Sequence, residues 1–471
     1  MSQIASNDRY RLKGIFILTL VVFIFIGTML GPPLAAQVDW LSSMRAINPT
    51  IGSTFEIDEK LVKTAGIRKI SSRHLDLYTD VRIREKVDLL PEVFDDAVDQ
   101  WCEYFKIDRG KAGNWRIRAF LIADKNDPSR FRNAGLMPND LPDFKAGFQQ
   151  RHNLWLYLQP GNYYTRHLLI HEGTHAFMAW FLQGLGSPWY GEGMAELFGV
   201  HRWKDRKLQL LYHLRDRSEA EYWGRVKQIK QEHEAGTSMT LSDMLNIPPT
   251  AFLEVRYYAW SWAGCEFFSK HEKTREEFSK LPGVTGLDAP TFNQRFTQAL
   301  QNNWIEIERD WELFVGEMEY GYDVQRGRVT PAQPLGARFG SSKSRFDILA
   351  SQSWQMTDVK VEQGNRFRIS GSGEFVVANA QAPRPWNSQS NGITIKYYRG
   401  QPLGMLQAGV LNTAAKTARE QVNGLLNPIS IGNTAEFTAA TDGILCLRIN
   451  ESPAHLIDNQ DGLEVTVEKL E

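Results

Sequence analysis

The first regular pattern is an alternation. "HLDLYTD" (His74–Asp80) sets apolar side chains at every second position, which predicts a strand. The period then changes. In "LPEVFDDAVDQWCEYFKI" (Leu90–Ile107), Val93, Phe94, Ala97, Val98, Trp101 and Phe105 recur at helical spacing, and Pro91 suits the first turn. "NWRIRAFLIAD" (Asn114–Asp124) and "NLWLYLQPG" (Asn153–Gly161) predict two further strands. A helix with Thr165 as N-cap is expected through "TRHLLIHEGTHAFMAWFLQ", stopped by Gly184, Gly186 and Pro188. "GEGMAELFGV" predicts a second, short helix. From about Leu208 to Phe314 the pattern is mostly helical, and residues 329–344 turn to Pro, Gly and Ser, which predicts a linker. Beyond it, "DVKVEQGNRFRISGSGEFVVA" and "ILCLRIN…GLEVTVEKL" alternate between Gly-containing turns. The expected order is an α+β domain over 37–328, a linker over 329–344 and an all-β sandwich over 345–471.

Length and charge narrow this picture. A chain of 471 residues implies two or three domains. With 54 Lys and Arg against 55 Asp and Glu, it carries no electrostatic footprint for nucleic acid. At the N-terminus, Arg9, Arg11 and Lys13 precede the uncharged run "IFILTLVVFIFIGTML", and "GPPLAAQ" follows with Ala35 and Ala36. A basic region, an apolar core and small residues together predict an export signal over 1–36, and hence a periplasmic, cell-surface or extracellular protein. Left uncleaved, the same segment is a membrane anchor, although its run is slightly short of the ~20 residues that span a bilayer. Cys102, Cys265 and Cys446 are too widely spaced for a disulfide framework and are expected as small buried hydrophobes.

The chemistry is concentrated in "LLIHEGTHAFMAW". On a helix, His171 and His175 lie on one face and can offer two imidazole nitrogens to one cation. Zinc accepts His nitrogen and carboxylate oxygen, and a catalytic site uses three protein ligands. "WYGEGMAE" (Trp189–Glu196) follows after a Gly/Pro turn, so its helix can fold back. Glu192 can then complete the set, and Glu196, one turn on, can accept the other N–H of His171 or His175. Glu172 need not bind the metal and is placed to act as general base. Chance alone yields HExxH in roughly one chain in a hundred of this length, but the downstream ExxxE is an independent match. The metzincin pattern is excluded, since "HEGTHAFMAWF" lacks its Gly and third His. His167 is expected as a surface or capping side chain, His201 as packed or exposed, and "QEHEAG" (Gln231–Gly236) as a solvated helix end.

"HEGTH…WYGEGMAE" resembles the gluzincin zinc peptidases, the peptidase MA-like clan that includes thermolysin and the aminopeptidase-N-like enzymes. The wider stretch from "SSRHLDLYTD" to about Leu281 is similar to an uncharacterised family of exported bacterial peptidase-like proteins. The resemblance implies a thermolysin-like fold, Glu192 as third zinc ligand and Glu196 as its neighbour. It also matches "YYAWSWAGCEFF" (Tyr257–Phe268) to the helix that carries an oxyanion-stabilising Tyr, which implies that role for Tyr258, with Ser261 where the family has Gly. "AGFQQRHN" (Ala146–Asn153) lacks the carboxylate with which aminopeptidases hold a free amine. With "NLWLYL" expected as an edge strand able to take an extended peptide, an endopeptidase acting on peptide or protein substrates is implied.

Residues from about Ala350 to Glu471 resemble the galactophilic-lectin-like, galactose-binding-like β-sandwich. In that family, "ND" and "DNxG" segments bind calcium, which holds a carbohydrate. Here Asn450 and Glu451 replace the "ND", and "DNQDG" (Asp458–Gly462) is one residue longer. Two function classes follow. One is an exported zinc metallopeptidase. The other is a surface binding or structural protein, with a structural zinc and a sandwich that binds carbohydrate or a partner protein. An intact Glu172 and only three visible ligands favour the first, because a structural zinc is usually closed by four.

Overall fold

The computed structural model describes residues 56–138, 141–335, 343–377 and 385–470, so the apolar segment of 1–36 lies outside the described residues. No helix among the described residues is long and apolar enough to cross a membrane. The chain is mixed α+β, with several sheets and a β-rich C-terminal region.

The N-terminal part is built on β1 (Arg68–Ser71), β2 (Leu75–Thr79), helix α1 (Leu90–Phe105), β3 (Ile117–Ile122), β4 (Gly147–Gln150) and β5 (Asn153–Tyr157). These strands form one sheet in the order β1-β2-β3-β5-β4, parallel at its centre and antiparallel at both margins. Alternation assigns the two faces. Leu75, Leu77, Ile117, Ala119, Leu121, Leu154 and Leu156 join the main core with Phe94 and Trp101 of α1, whereas Tyr78, Phe120, Ile122, Trp155 and Tyr157 pack with Phe131 and Leu136 on the other side. Both faces are covered, and for that reason these strands read as apolar runs. The strand at the margin is β4, so "NLWLYL" is interior and the expected edge is corrected to its neighbour in the chain. β4 was missed because "GFQQ" has no apolar alternation of its own.

Helix α2 (Asn162–Phe181) carries the HEGTH segment. It begins three residues before Thr165, at the extended Gly161, and Thr165 lies inside it with Oγ1 donating to Gly161 O. Every residue from His167 to Ala179 is buried, so α2 is a central helix covered on all sides. Helix α3 (Pro188–Gly199) follows, longer than "GEGMAELFGV" alone implies, with Pro188 in its first turn. A hairpin of β6 (His201–Lys204) and β7 (Lys207–Leu210) precedes the helical half. That half contains α4 (Arg225–Glu234), α5 (Val255–Lys270), α6 (Ala289–Leu300) and α7 (Trp304–Gly316).

Close packing of α3 against its neighbours depends on its small residues. A Cβ at Gly193 would stand 2.5 Å from both Cys265 Sγ and Ser261 O on α5. On α2, a Cβ at Gly173 would meet Phe94 at 2.5 Å. The glycines of "HEGTH" and "GEG" therefore set helix separations.

Residues 330–334 do not form a free linker. β8 (Thr330–Pro331) pairs with β11 (Gln355–Val361), and β9 (Gln333–Pro334) pairs with β10 (Lys343–Leu349). The remaining strands are β12 (Arg366–Ser372), β13 (Phe375–Val377), β14 (Trp386–Ser388), β15 (Asn391–Tyr398), β16 (Gln401–Leu411), β17 (Ile429–Ser430), β18 (Thr434–Thr438), β19 (Gly443–Ile449) and β20 (Gly462–Leu470). Two sheets result, β18-β12-β20-β10-β9 and β15-β16-β19-β11-β8, with β17 on β16 and β13 paired to β14. Their inner faces share one core, including Ile348, Phe367, Ile369, Leu406, Leu447 and Val465, the layering of a sandwich.

Helix α8 (Ala418–Leu426), not foreseen in the β pattern, docks the sandwich on α7. Leu313 of α7 packs with Trp354, Leu411, Val422, Leu425 and Cys446. Beside this patch, Arg448 Nη1 donates to Glu317 Oε1 at 2.6 Å, and both side chains are buried. Arg448 also donates to Gln407 and lies over the Trp354 ring. Removing one member of a buried pair strands the other charge. Arg448→Leu is expected to destabilise the protein by about 3–5 kcal/mol in chemical denaturation. Adding Glu317→Gln should recover much of that loss; a double variant as unstable as the single one would show that Arg448 acts through packing alone.

Candidate metal centre

His171 and His175 project from one face of α2, as their spacing requires, and α3 brings Glu192 opposite them. His171 Nε2 and His175 Nε2 are 3.2 Å apart, and Glu192 Oε2 lies 3.3 Å from each. Three donors at these separations occupy three corners of a tetrahedron with centre-to-corner distance of about 2.0 Å, the length of zinc bonds to imidazole and carboxylate. All three residues are buried, and Glu192 Oε2 has no properly directed hydrogen bond. Leaving such a group buried without a partner is costly, and a cation removes the cost. The donor set therefore fits zinc.

The charges respond to this crowding. Burial opposes a proton on His171, but the carboxylates of Glu192, Glu196 and Glu172 outweigh it and raise the group to about 10. Burial likewise pushes Glu192 up, yet the two histidines hold it at about 2. Glu172 behaves differently. Burial raises its carboxyl above the usual range, and the histidines offset this only in part. Its Oε1 takes the space a Cβ would fill at Gly147, 2.5 Å away, so β4 runs directly beside it.

Glu196 is fixed from three sides. Arg225 of α4 donates from Nε to Oε2 at 2.9 Å and from Nη2 to Oε1 at 2.8 Å. His167 Nε2 and His171 Nδ1 lie 3.5 and 3.4 Å from Oε1. Burial would raise Glu196, but Arg225 and His167 hold it well below the ordinary carboxylate value. His167 is thus buried, stacked on Tyr164, and not the surface residue its position near the helix start implied. Gly199 leaves it room, since a Cβ there would meet its ring at 2.5 Å. His167, His171 and Glu196 also lie within reach of a common ion. The Arg225 guanidinium already holds both Glu196 oxygens, and a second cation there would face it directly. No sequence pattern marks Arg225; it arrives from 29 residues downstream.

Of the two adjacent tyrosines, Tyr258 faces the centre, with its ring 5.9 Å from that of His171. Tyr257 lies under Arg256 instead. Burial, then the carboxylates of Glu192, Glu172 and Glu196, raise the Tyr258 phenol well above its usual value, so it remains a donor. Ser261 is fully buried on α5 and its carbonyl faces Gly193. Gln149 of β4 is turned to Arg151 O. His201 stacks on Tyr163 and accepts from Arg166 Nε, and burial lowers it to about 3. "QEHEAG" is only partly solvated, because Glu232 is buried against Arg256 and Trp260. The three cysteines are free and buried.

In the sandwich, Glu451 Oε2 accepts from Asn459 Nδ2 at 2.6 Å, with Asp458 nearby. Asn450 Nδ2 donates to the carbonyls of Tyr398, Gln401 and Pro402. Asn450 Oδ1, Asp458 Oδ1 and Asn459 Oδ1 are buried with no hydrogen-bond partner. Buried oxygens without a donor suit a hard cation such as calcium where they converge on one point. Burial raises Glu451 from 4.5 to about 8. Because the folded value exceeds the unfolded one, its contribution to stability is complete below pH 4.5 and is lost as pH rises through about 8. With a calcium chelator present, Glu451→Gln should flatten the fall in urea midpoint across that window. An unchanged slope would mean that Glu451 ionises normally in the fold.

No protein-family model and no curated protein matches the chain. Among solved structures it is similar to a chain described as "EclA N-terminal domain; PllA-like lectin", at 18% identity and a TM-score of 0.19, covering 27% of this chain and 95% of that one.

Proposed function

We propose that this chain is a zinc-dependent peptidase, an endopeptidase of thermolysin-like, gluzincin architecture, exported through its N-terminal segment. The observation that carries the reading is the buried triangle of His171 Nε2, His175 Nε2 and Glu192 Oε2, with Glu172 beside it and outside it. Zinc held there supplies Lewis acidity to water and to a scissile carbonyl.

The chain's own groups account for the rest. Glu172, with its raised pKa, takes a proton at its carboxylate and returns it to the leaving amine. The phenol of Tyr258 donates toward the developing oxyanion. Glu196 Oε1, 3.4 Å from His171 Nδ1, attracts that ring nitrogen and leaves Nε2 for the metal, while Arg225 fixes Glu196. The edge of β4, unpaired among the described residues, offers backbone groups to an extended substrate, and no carboxylate on it would capture a free N-terminus. The unpartnered oxygens of Asn450, Asp458 and Asn459 support a second, separate reading for the sandwich, a calcium-dependent carbohydrate site.

Elemental analysis should find one zinc per chain, lost in His175→Ala; absence of zinc after reconstitution would end the proposal. Glu172→Gln should keep the metal and reduce hydrolysis of a peptide library by about 10²–10⁴-fold. Retained hydrolysis would instead favour a structural zinc. Arg225→Met should weaken zinc by about 10–100-fold in competition with a chelator, whereas equal affinity would remove Arg225 from the support of the site.

A further inference from the structure

A cavity of about 360 Å³ is lined by the ends of α1 and α3, by α4 and α5, and by the chain after α7. Its size falls at the lower end of small-molecule sites, about 300–1,000 Å³. Leu214, Trp223, Val226, Trp262 and Met318 give it mostly apolar walls. Two buried polar groups of its lining have no hydrogen-bond partner among the described residues: the indole N–H of Trp223, a residue only 2% exposed, and the hydroxyl of Tyr320. An unpaired buried donor on an apolar wall calls for an oxygen from a ligand.

The charges around the cavity are unequal. Glu266 is held by Lys270, with His213 Nδ1 3.5 Å from the same oxygen. Glu319 is turned to the sandwich, where it accepts from Tyr398 and Ser452. Both carboxylates are therefore engaged. The remaining lining cations, Lys106 and Arg275, are exposed and have no ion pair among the described residues.

From these observations we infer that the cavity binds an apolar molecule ending in a carboxylate, of the size of a medium-chain fatty acid, with its tail along Leu214, Val226 and Met318, one carboxylate oxygen accepting from the Trp223 indole N–H, and its charge offset by Lys106 and Arg275. The inference does not depend on the peptidase reading, since none of these residues touches the metal centre.

Calorimetric titration of the full chain with decanoate, decan-1-ol and decylamine tests it. Decanoate should saturate at one molecule per chain, with the alcohol and the amine at least about tenfold weaker. Reversing two exposed charges in Lys106→Glu/Arg275→Glu should invert the order of decanoate and decylamine. Val226→Trp, which fills the cavity, should abolish binding of all three; if that variant does not fold, the charge-reversed protein decides alone. Absence of saturable decanoate binding would overturn the inference. So would equal affinity for the three ligands, or a ligand order unchanged by the charge reversal.

Discussion

The distance between α3 and its two neighbours is the constraint on which the candidate metal centre depends. A triangle of donors just over 3 Å on a side tolerates little displacement of either helix. Glycines at 173, 193 and 199 let α1 pack on α2, α5 pack on α3, and His167 fit against α3. A side chain at any of them would push apart elements that carry ligands or their supports. The centre is thus specified as much by residues that bear no functional group as by those that do.

The second constraint is electrostatic. Three carboxylates and three imidazoles in a buried space would repel or strand one another without an organising charge. Arg225 supplies it by holding both oxygens of Glu196, whose Oε1 also lies 3.5 and 3.4 Å from the rings of His167 and His171. The arrangement gives Glu172 and Glu192 opposite tendencies although both are fully enclosed. Glu192 is kept ionised by two imidazoles, while Glu172 feels burial most. One carboxylate suits a ligand and the other suits a base.

How much of this was legible in the sequence follows from the range of each interaction. His171, Glu172 and His175 are related by helical spacing, and Glu192 and Glu196 follow within one turn and one helix, so local pattern sufficed. The choice of Tyr258 over Tyr257 needed α5 in place. Arg225 and His167 were not legible, because nothing local distinguishes a buried Arg or His from a solvated one. The exchange of β5 for β4 at the sheet margin has the same origin: alternation reports burial, and β5 is buried on both faces, but strand order is a property of topology. Helix α8 was hidden within a region whose Gly-turn and Val/Ile pattern reads uniformly as β.

The segment between the two parts has a consequence beyond connectivity. β8 and β9, each only two residues long, cap one margin of either sheet of the sandwich. They leave β11 and β10 without free backbone N–H and C=O groups along those stretches. A C-terminal fragment that starts at residue 345 would uncover both margins together. Open strand margins recruit other chains, so such a fragment would be prone to sheet-to-sheet aggregation however stable its core. The two parts of this chain are thus joined by an element that also shields part of a sheet margin on each face of the second.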